Sequence, residues 1–327
     1  MSEGVKERLV YLDIAAGIMT IWVMVFHALY PMYGNDELEV VPLFFYFMPW
    51  FFYKAGMMFR PKDMKDEIQN GWKKLIVTFI IWSLIGWIAH IGWHWFAGDL
   101  TPRLVFYSPL RSLIFNAQVP LNGALWFLPI LFIVRIVGNW LLNNRVRAEW
   151  IILGSALCVL AFKLLHWRFM PVYISGTAWG LFFFAFGYLL QGRESNKWIA
   201  YIAAVLFVAS IFTDIPSVYC KSGTPLIQVL WYPACVAGCI TFNNICRKLG
   251  WLVEKINFQE GILQYVGRNA LNFYVPHKII FHIGFNLIVW YKEEWYSTWQ
   301  GLCIVLAAYA VILPIINLII NRIRKKC

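Results

Sequence analysis

A chain of 327 residues that is 61% hydrophobic and only 14% charged is not an ordinary soluble domain, in which about a quarter of the residues are charged. Eighteen Trp and sixteen Tyr add the amphipathic rings that gather at membrane interfaces. The net charge of +11 is spread over short loops between apolar runs, which encodes membrane topology and argues against a nucleic-acid partner.

Ten apolar runs of spanning length follow one another, at 10–33, 41–59, 75–97, 124–142, 149–165, 173–191, 198–213, 225–245, 262–285 and 299–320. Residues 1–327 therefore read as a single transmembrane domain, an all-α polytopic bundle of about ten helices. The first run is longer than a signal-peptide core and no small-residue cleavage site follows it, so it is expected to stay as a helix. With the N-terminus inside, nineteen of the 28 Lys and Arg fall on the cytoplasmic side and five outside, which predicts that both termini are cytoplasmic. Seven cysteines are scattered, and only Cys220 falls in an expected outer loop, so no disulfide framework is predicted. Cys235 and Cys239 lack a third ligand at metal spacing, and no metal site is expected.

The first run carries Asp13 near its start and His27 near its end. An ionisable residue inside a membrane helix is costly and marks a functional site by default. His27 lies 17 residues beyond Val10, roughly 25 Å along a helix, in the outer third of the membrane. His277 lies 15 residues beyond Ile262 on a helix of the same direction, roughly 22 Å along, and Lys278 follows it. Two histidines at one depth suit a proton-handling pair, although an intramembrane histidine also serves simply to bond a neighbouring helix. Pro276 predicts a kink just before His277. The run 262–285 also holds Arg268, Asn269, Asn272, His282 and other polar residues, so it must face helices or water rather than lipid.

Lys54, in the second run, lies at the same estimated depth as Ala16. Such a lysine either snorkels to the cytoplasmic surface or holds an anion inside the bundle. The following loop, Phe59–Lys74, carries Arg60, Lys62, Lys65, Lys73 and Lys74. These residues suit anionic lipid heads, the phosphates of a nucleotide-bearing donor, or both. The segment from Gly98 to Gly123 is expected to cap the outer face. Asn122 and Trp126 open the fourth run there, and Trp126 is either an interface residue or a stacking face for a sugar. His90 and His94 sit among Trp87, Trp93 and Trp95 and read as part of an interface belt. The chain lacks the Gly-x-Ser-x-Gly, His-Glu-x-x-His, Walker and dinucleotide motifs, so its chemistry must come from residues on separate helices.

These residues in this order resemble the acyltransferase 3 family, integral membrane O-acyltransferases often built of ten helices. The first run, with Leu12, Asp13, Gly17 and His27, is similar to the family's first helix. FFYKAGMMF, NGWKKLIVTFIIW, ALWFLPILF and LNFYVPHKII resemble four further family stretches in their order, and the fucose 4-O-acetylase-like branch is nearest. Ala16 stands where the family commonly has arginine, and Lys54 is the candidate replacement. The resemblance implies a plasma-membrane enzyme that moves an acyl group, acetyl foremost, from cytoplasmic acyl-CoA to a sugar of a surface polysaccharide or glycolipid. On that reading His27 is the general base, and His277 or Lys278 stabilises the thioester oxygen. Lys54, Arg60, Lys65, Lys73 and Lys74 hold the donor, Asn122 and Trp126 meet the acceptor, and Asp13 supports the site. Two alternatives stay open: a glycolipid transporter or flippase, and a catalytically inactive member of the family.

Overall fold

The computed structural model describes residues 9–33, 41–165, 171–213, 215, 225–255, 261–292 and 298–326. Cys220 and the charged residues 1–8 lie outside them. The described residues form an all-α membrane bundle with one isolated bridge, between Val119 and Asn122.

Helix α1 (Val10–Tyr33) is followed by the short α2 (Val41–Phe44) and by α3 (Phe47–Met57). Helix α4 (Met64–Gly71) passes through a π-helical turn, Trp72–Ile76, into α5 (Val77–Ala97). A second π-helical turn, Arg103–Tyr107, opens α6 (Ser108–Asn116), and a 3-10 turn, Gly123–Trp126, opens α7 (Phe127–Asn143). Then come α8 (Ala148–Leu164), α9 (Val172–Leu189), α10 (Lys197–Ile211) and α11 (Pro225–Lys255). The chain closes with α12 (Ile262–Arg268), α13 (Ala270–Tyr274), α14 (His277–Lys292) and α15 (Trp299–Lys326).

Among the described residues, six helices are long and apolar enough to cross a membrane: Val10–Leu29, Met64–Ala97, Gly123–Asn143, Val172–Leu189, Val229–Val253 and Trp299–Arg324. The other four apolar runs are helical but short or interrupted. Helices α8 and α10 have 17 and 15 residues. The run 41–59 breaks at Phe45–Tyr46, because the ring of Pro49 conflicts with a helical carbonyl four residues earlier. Pro276 breaks the run 262–285 between α13 and α14 for the same reason.

Helix α1 sits between two apolar cores. Leu12, Ala15, Ala16, Met19, Val23 and Phe26 join the larger, with α3, α7, α9 and α11. Met24 and Ala28 join the smaller, with α14 and α15. Helix α12 lies so close to α1 that a Cβ on Gly17 would stand 2.1 Å from the Leu263 oxygen, and one on Gly267 1.8 Å from the Asp13 oxygen. The Arg268 Nε donates to Asp13 Oδ2 at 3.1 Å across this contact. Other polar residues of the broken run bond helix α15. Asn272 Nδ2 donates to Asn317 Oδ1 at 2.8 Å, and Asn317 Nδ2 donates to the Tyr265 hydroxyl at 2.7 Å.

The ends of α3, α7 and α9 meet at one face, called the basic face here. Lys62 exchanges hydrogen bonds with the Asn139 side chain, and Gln191 Nε2 donates to the Phe59 carbonyl at 2.6 Å. Glu194, 1% exposed, lies under this face. It accepts from Tyr53 Oη at 2.9 Å, from Asn243 Nδ2 at 2.7 Å and from Arg247 at 2.8 Å. Burial raises the Glu194 carboxyl above its usual range, and those three partners oppose the shift.

Candidate active site

A cavity of about 530 Å³ opens near the basic face. That volume is in the range of small-molecule sites, roughly 300–1,000 Å³. Lys54, Arg60, Lys62 and Arg135 supply four cations to its lining. They enclose a single lining carboxylate, Glu67, whose side chain is 1% exposed. Glu67 binds Arg135 Nε at 2.6 Å and Lys62 Nζ at 2.9 Å. A carboxylate so buried holds its charge only when paired, and here it fixes two of the cations in place. The Lys54 ammonium lies 5.3 Å from the centre of the Trp50 ring, whose indole N–H donates to Asn243 at 2.8 Å. Lys54 is thereby joined to the polar network around Glu194.

Thr20, Phe127, Leu271 and Tyr274 carry the lining deeper into the bundle. The Thr20 hydroxyl is buried and has no hydrogen-bond partner among the described residues. Thr20 and His27 are seven residues apart on α1, which places them on one face two turns apart. The Tyr274 ring centre is 5.5 Å from that of His277. His277 and His27 are stacked, with centres 5.2 Å apart and planes at 30°. The two histidines placed at equal depth by helical rise are thus brought together.

His277 is fully buried, and its Nδ1 is hydrogen-bonded to the backbone carbonyl of Tyr274. A carbonyl only accepts, so Nδ1 carries the proton and Nε2 of the neutral ring is an acceptor. Nε2 is buried without a partner among the described residues. A neutral His277 in this tautomer offers only an acceptor at Nε2. The neighbouring Lys278 ammonium lies 4.8 Å from the centre of the Phe281 ring.

The segment after α6 enters the bundle rather than capping it. Gly86 gives it room: a Cβ there would stand 3.2 Å from the Pro120 oxygen and 3.3 Å from Asn122. Asn122 is fully buried and donates from Nδ2 to the Val275 carbonyl at 3.0 Å. The Tyr274 hydroxyl donates to the Ala124 carbonyl at 2.6 Å. These two bonds hold the helix break that presents His277. Trp126 lines a separate cavity of about 350 Å³, with Trp179, Tyr232, Ser175 and Lys163.

Of the residues singled out from the sequence, Lys54 and Arg60 line the first cavity, His27 and His277 stack on each other behind its lining residue Tyr274, and Asp13 braces α1 against α12. Lys65, Lys73 and Lys74 are exposed and do not line it. Lys62, which the sequence places in the same basic loop as Arg60, also lines it, and Glu67, Arg135 and Thr20 line it without having been assigned to the site from the sequence alone. Arg135 was legible as a cation inside an apolar run, but its partner lies 68 residues away. His90 and His94 pack edge to face at 4.4 Å, and His94 Nδ1 bonds Asp99 at 2.8 Å. Among the described residues no group of three metal ligands forms.

No curated protein and no solved structure gives a significant match to this chain. The acyltransferase 3 family model, described as an acyltransferase domain, matches residues 9–319, so the chain belongs to that family and is a membrane acyltransferase.

Proposed function

We propose that the chain is an acyl-CoA-dependent O-acyltransferase of the plasma membrane, which moves an acetyl group to a sugar hydroxyl of a surface polysaccharide or glycolipid. The observation that carries this reading is the single cavity that begins among four cations and ends against Tyr274, next to the stacked histidines. The basic face is the cytoplasmic one, in keeping with its lysines and arginines. Lys54, Arg60, Lys62 and Arg135 hold the donor phosphates. Lys65, Lys73 and Lys74, exposed nearby, add to the positive field that draws an anionic donor to the mouth. Lys54 supplies the cation that Ala16 does not, since Ala16 is fully buried in the core.

The pantetheine arm runs inward past the Thr20 hydroxyl, which bonds one of its amide groups. The sugar comes from the opposite face with a neighbouring hydroxyl donating to Nε2 of His277, and the reacting hydroxyl is directed at His27. His27 takes its proton as the oxygen attacks the thioester carbonyl carbon. The new C–O bond forms, the C–S bond breaks, and His27 returns the proton to the leaving thiolate. Lys278 stabilises the carbonyl oxygen as it gains charge. Positioning of this kind and a general base are the two contributions the site offers.

Purified protein given acetyl-CoA and a glycan acceptor should release free thiol and add about 42 Da per acetylated sugar. Thiol release that stays at the uncatalysed rate, with and without acceptor, would overturn this function.

A further inference from the structure

Two further cavities meet at one lysine on the face away from the donor mouth. Helix α8 starts beside the basic face, so Lys163, in its last turn, lies at the far side of the bundle. Lys163, Val159 and Tyr232 line both cavities. The first is the 350 Å³ cavity, walled by the rings of Trp126, Trp179 and Tyr232 with the Ser175 hydroxyl beside them. The second, of about 250 Å³, is apolar, formed by Leu157, Leu160, Phe182, Val229 and Pro233. Leu157 and Val229 are 57% and 50% exposed, so this cleft opens sideways on the surface that meets lipid tails. Between the two stands the Lys163 ammonium, 5.7 Å from the centre of the Tyr232 ring.

The order is apolar cleft, cation, aromatic cage. We infer that this pair of cavities binds a sugar joined through a phosphate to one long hydrocarbon chain, and that such a lipid-linked sugar is the acceptor. This rests on the acyltransfer reading above and narrows its acceptor. The chain enters the lateral cleft, the phosphate sits at Lys163, and the sugar stacks on Trp126 and Trp179. Taking a methylene as about the size of a liquid water, roughly 30 Å³, the cleft holds about eight carbons of one chain and leaves no room for a second. That disfavours a two-chain phospholipid. Charge complementarity favours an anionic link, because a buried-edge lysine gains about 1 kcal/mol from a lipid phosphate. The sugar end of the cage is joined to the histidines through two intervening rings, Phe127 and Tyr274. Trp126 adjoins Phe127, whose ring centre is 5.9 Å from that of Tyr274, and Tyr274 packs on His277.

The test is binding by the full-length protein in detergent, without acyl donor, to three probes: a glucosyl polyprenyl phosphate, the parent polyprenol, and phosphatidylglycerol. The glycosylated phosphate should bind about fivefold more tightly than the polyprenol or better, and phosphatidylglycerol should not displace it. Lys163→Met should remove the preference and Lys163→Arg should keep it. Equal binding of phosphate and polyprenol by the unmodified protein would overturn the inference without recourse to a variant. So would displacement by phosphatidylglycerol, which would make this an ordinary phospholipid site. Thiol release from acetyl-CoA, measured on the same preparation, separates the two proposals. Binding without thiol release overturns the acyltransfer function, and thiol release without selective binding overturns only the lipid-linked acceptor.

Discussion

The region under the basic face and the region around the histidines treat buried polarity in opposite ways. Under the basic face the buried carboxylates among the described residues are answered: Glu67 by Lys62 and Arg135, Glu194 by Tyr53, Asn243 and Arg247. Deeper in, the Thr20 hydroxyl, Nε2 of His277, Oδ1 of Asn122 and the Tyr309 hydroxyl are buried with no partner among the described residues. An unanswered buried polar group costs about 1–3 kcal/mol, so four in one neighbourhood are retained at a loss to stability. The difference teaches where to look for chemistry. Single unpartnered atoms also occur elsewhere, at Ser83, His90, Thr241 and Arg247, so it is their gathering beside the histidines that marks the place for a ligand.

The sharpest way to break that division is His27→Ala. It should lower turnover by about 10²–10⁴-fold while leaving acetyl-CoA binding and thermal unfolding within error of the unmodified protein. Retention of a tenth of the turnover would move His27 to the scaffold side.

Glu194→Ala probes the other region. It strands three donors, and breaking a buried ion pair costs several kcal/mol. A loss of about 3 kcal/mol is expected, at the lower end because Arg247 keeps some access to solvent. Denaturation in detergent measures it, and turnover per folded molecule should stay the same.

Lys54→Met tests a residue that belongs to both regions. It lines the cavity while its ammonium lies against the Trp50 ring of the scaffold. Removing a charged hydrogen bond should weaken donor affinity by about tenfold or more, read by calorimetric titration with CoA. Unchanged affinity would mean that the lysine only snorkels.

The smallest effect is expected from Thr20→Val, which keeps the shape and deletes the hydroxyl. The KM for the donor should rise by about two- to tenfold with little change in kcat, and Thr20→Ser should restore it. A fall in kcat alone would place Thr20 at the reacting carbonyl instead.

The helical membrane class was plain from composition, and the histidine pair from helical rise along two helices of one direction. Asp13, Lys54 and Arg60 were legible because a charge beside or inside an apolar run has few innocent explanations. The rest depended on contacts that no periodicity carries. Glu67 looks like any loop acid until Arg135 reaches it from 68 residues away, and Glu194 until Arg247 does. Lys65, Lys73 and Lys74 share a basic stretch with Arg60, but the helix that begins at Met64 turns them outward. The number of full-length spans was hidden by Pro49 and Pro276, which interrupt runs that hydropathy treats as continuous.

The segment from Gly98 onward has two parts with different prospects for engineering. Residues 98–116 form a largely exposed turn and helix, so they tolerate exchange with little effect on the bundle. Residues 117–126 cannot travel with them. Asn122 bonds the Val275 carbonyl and Ala124 accepts from the Tyr274 hydroxyl, and these hold the break on which His277 is mounted. A chimera should therefore be joined at Asn116, with the inserted portion of Ala117–Trp126 kept native. One joined a few residues later would disturb the two bonds that set His277 against His27.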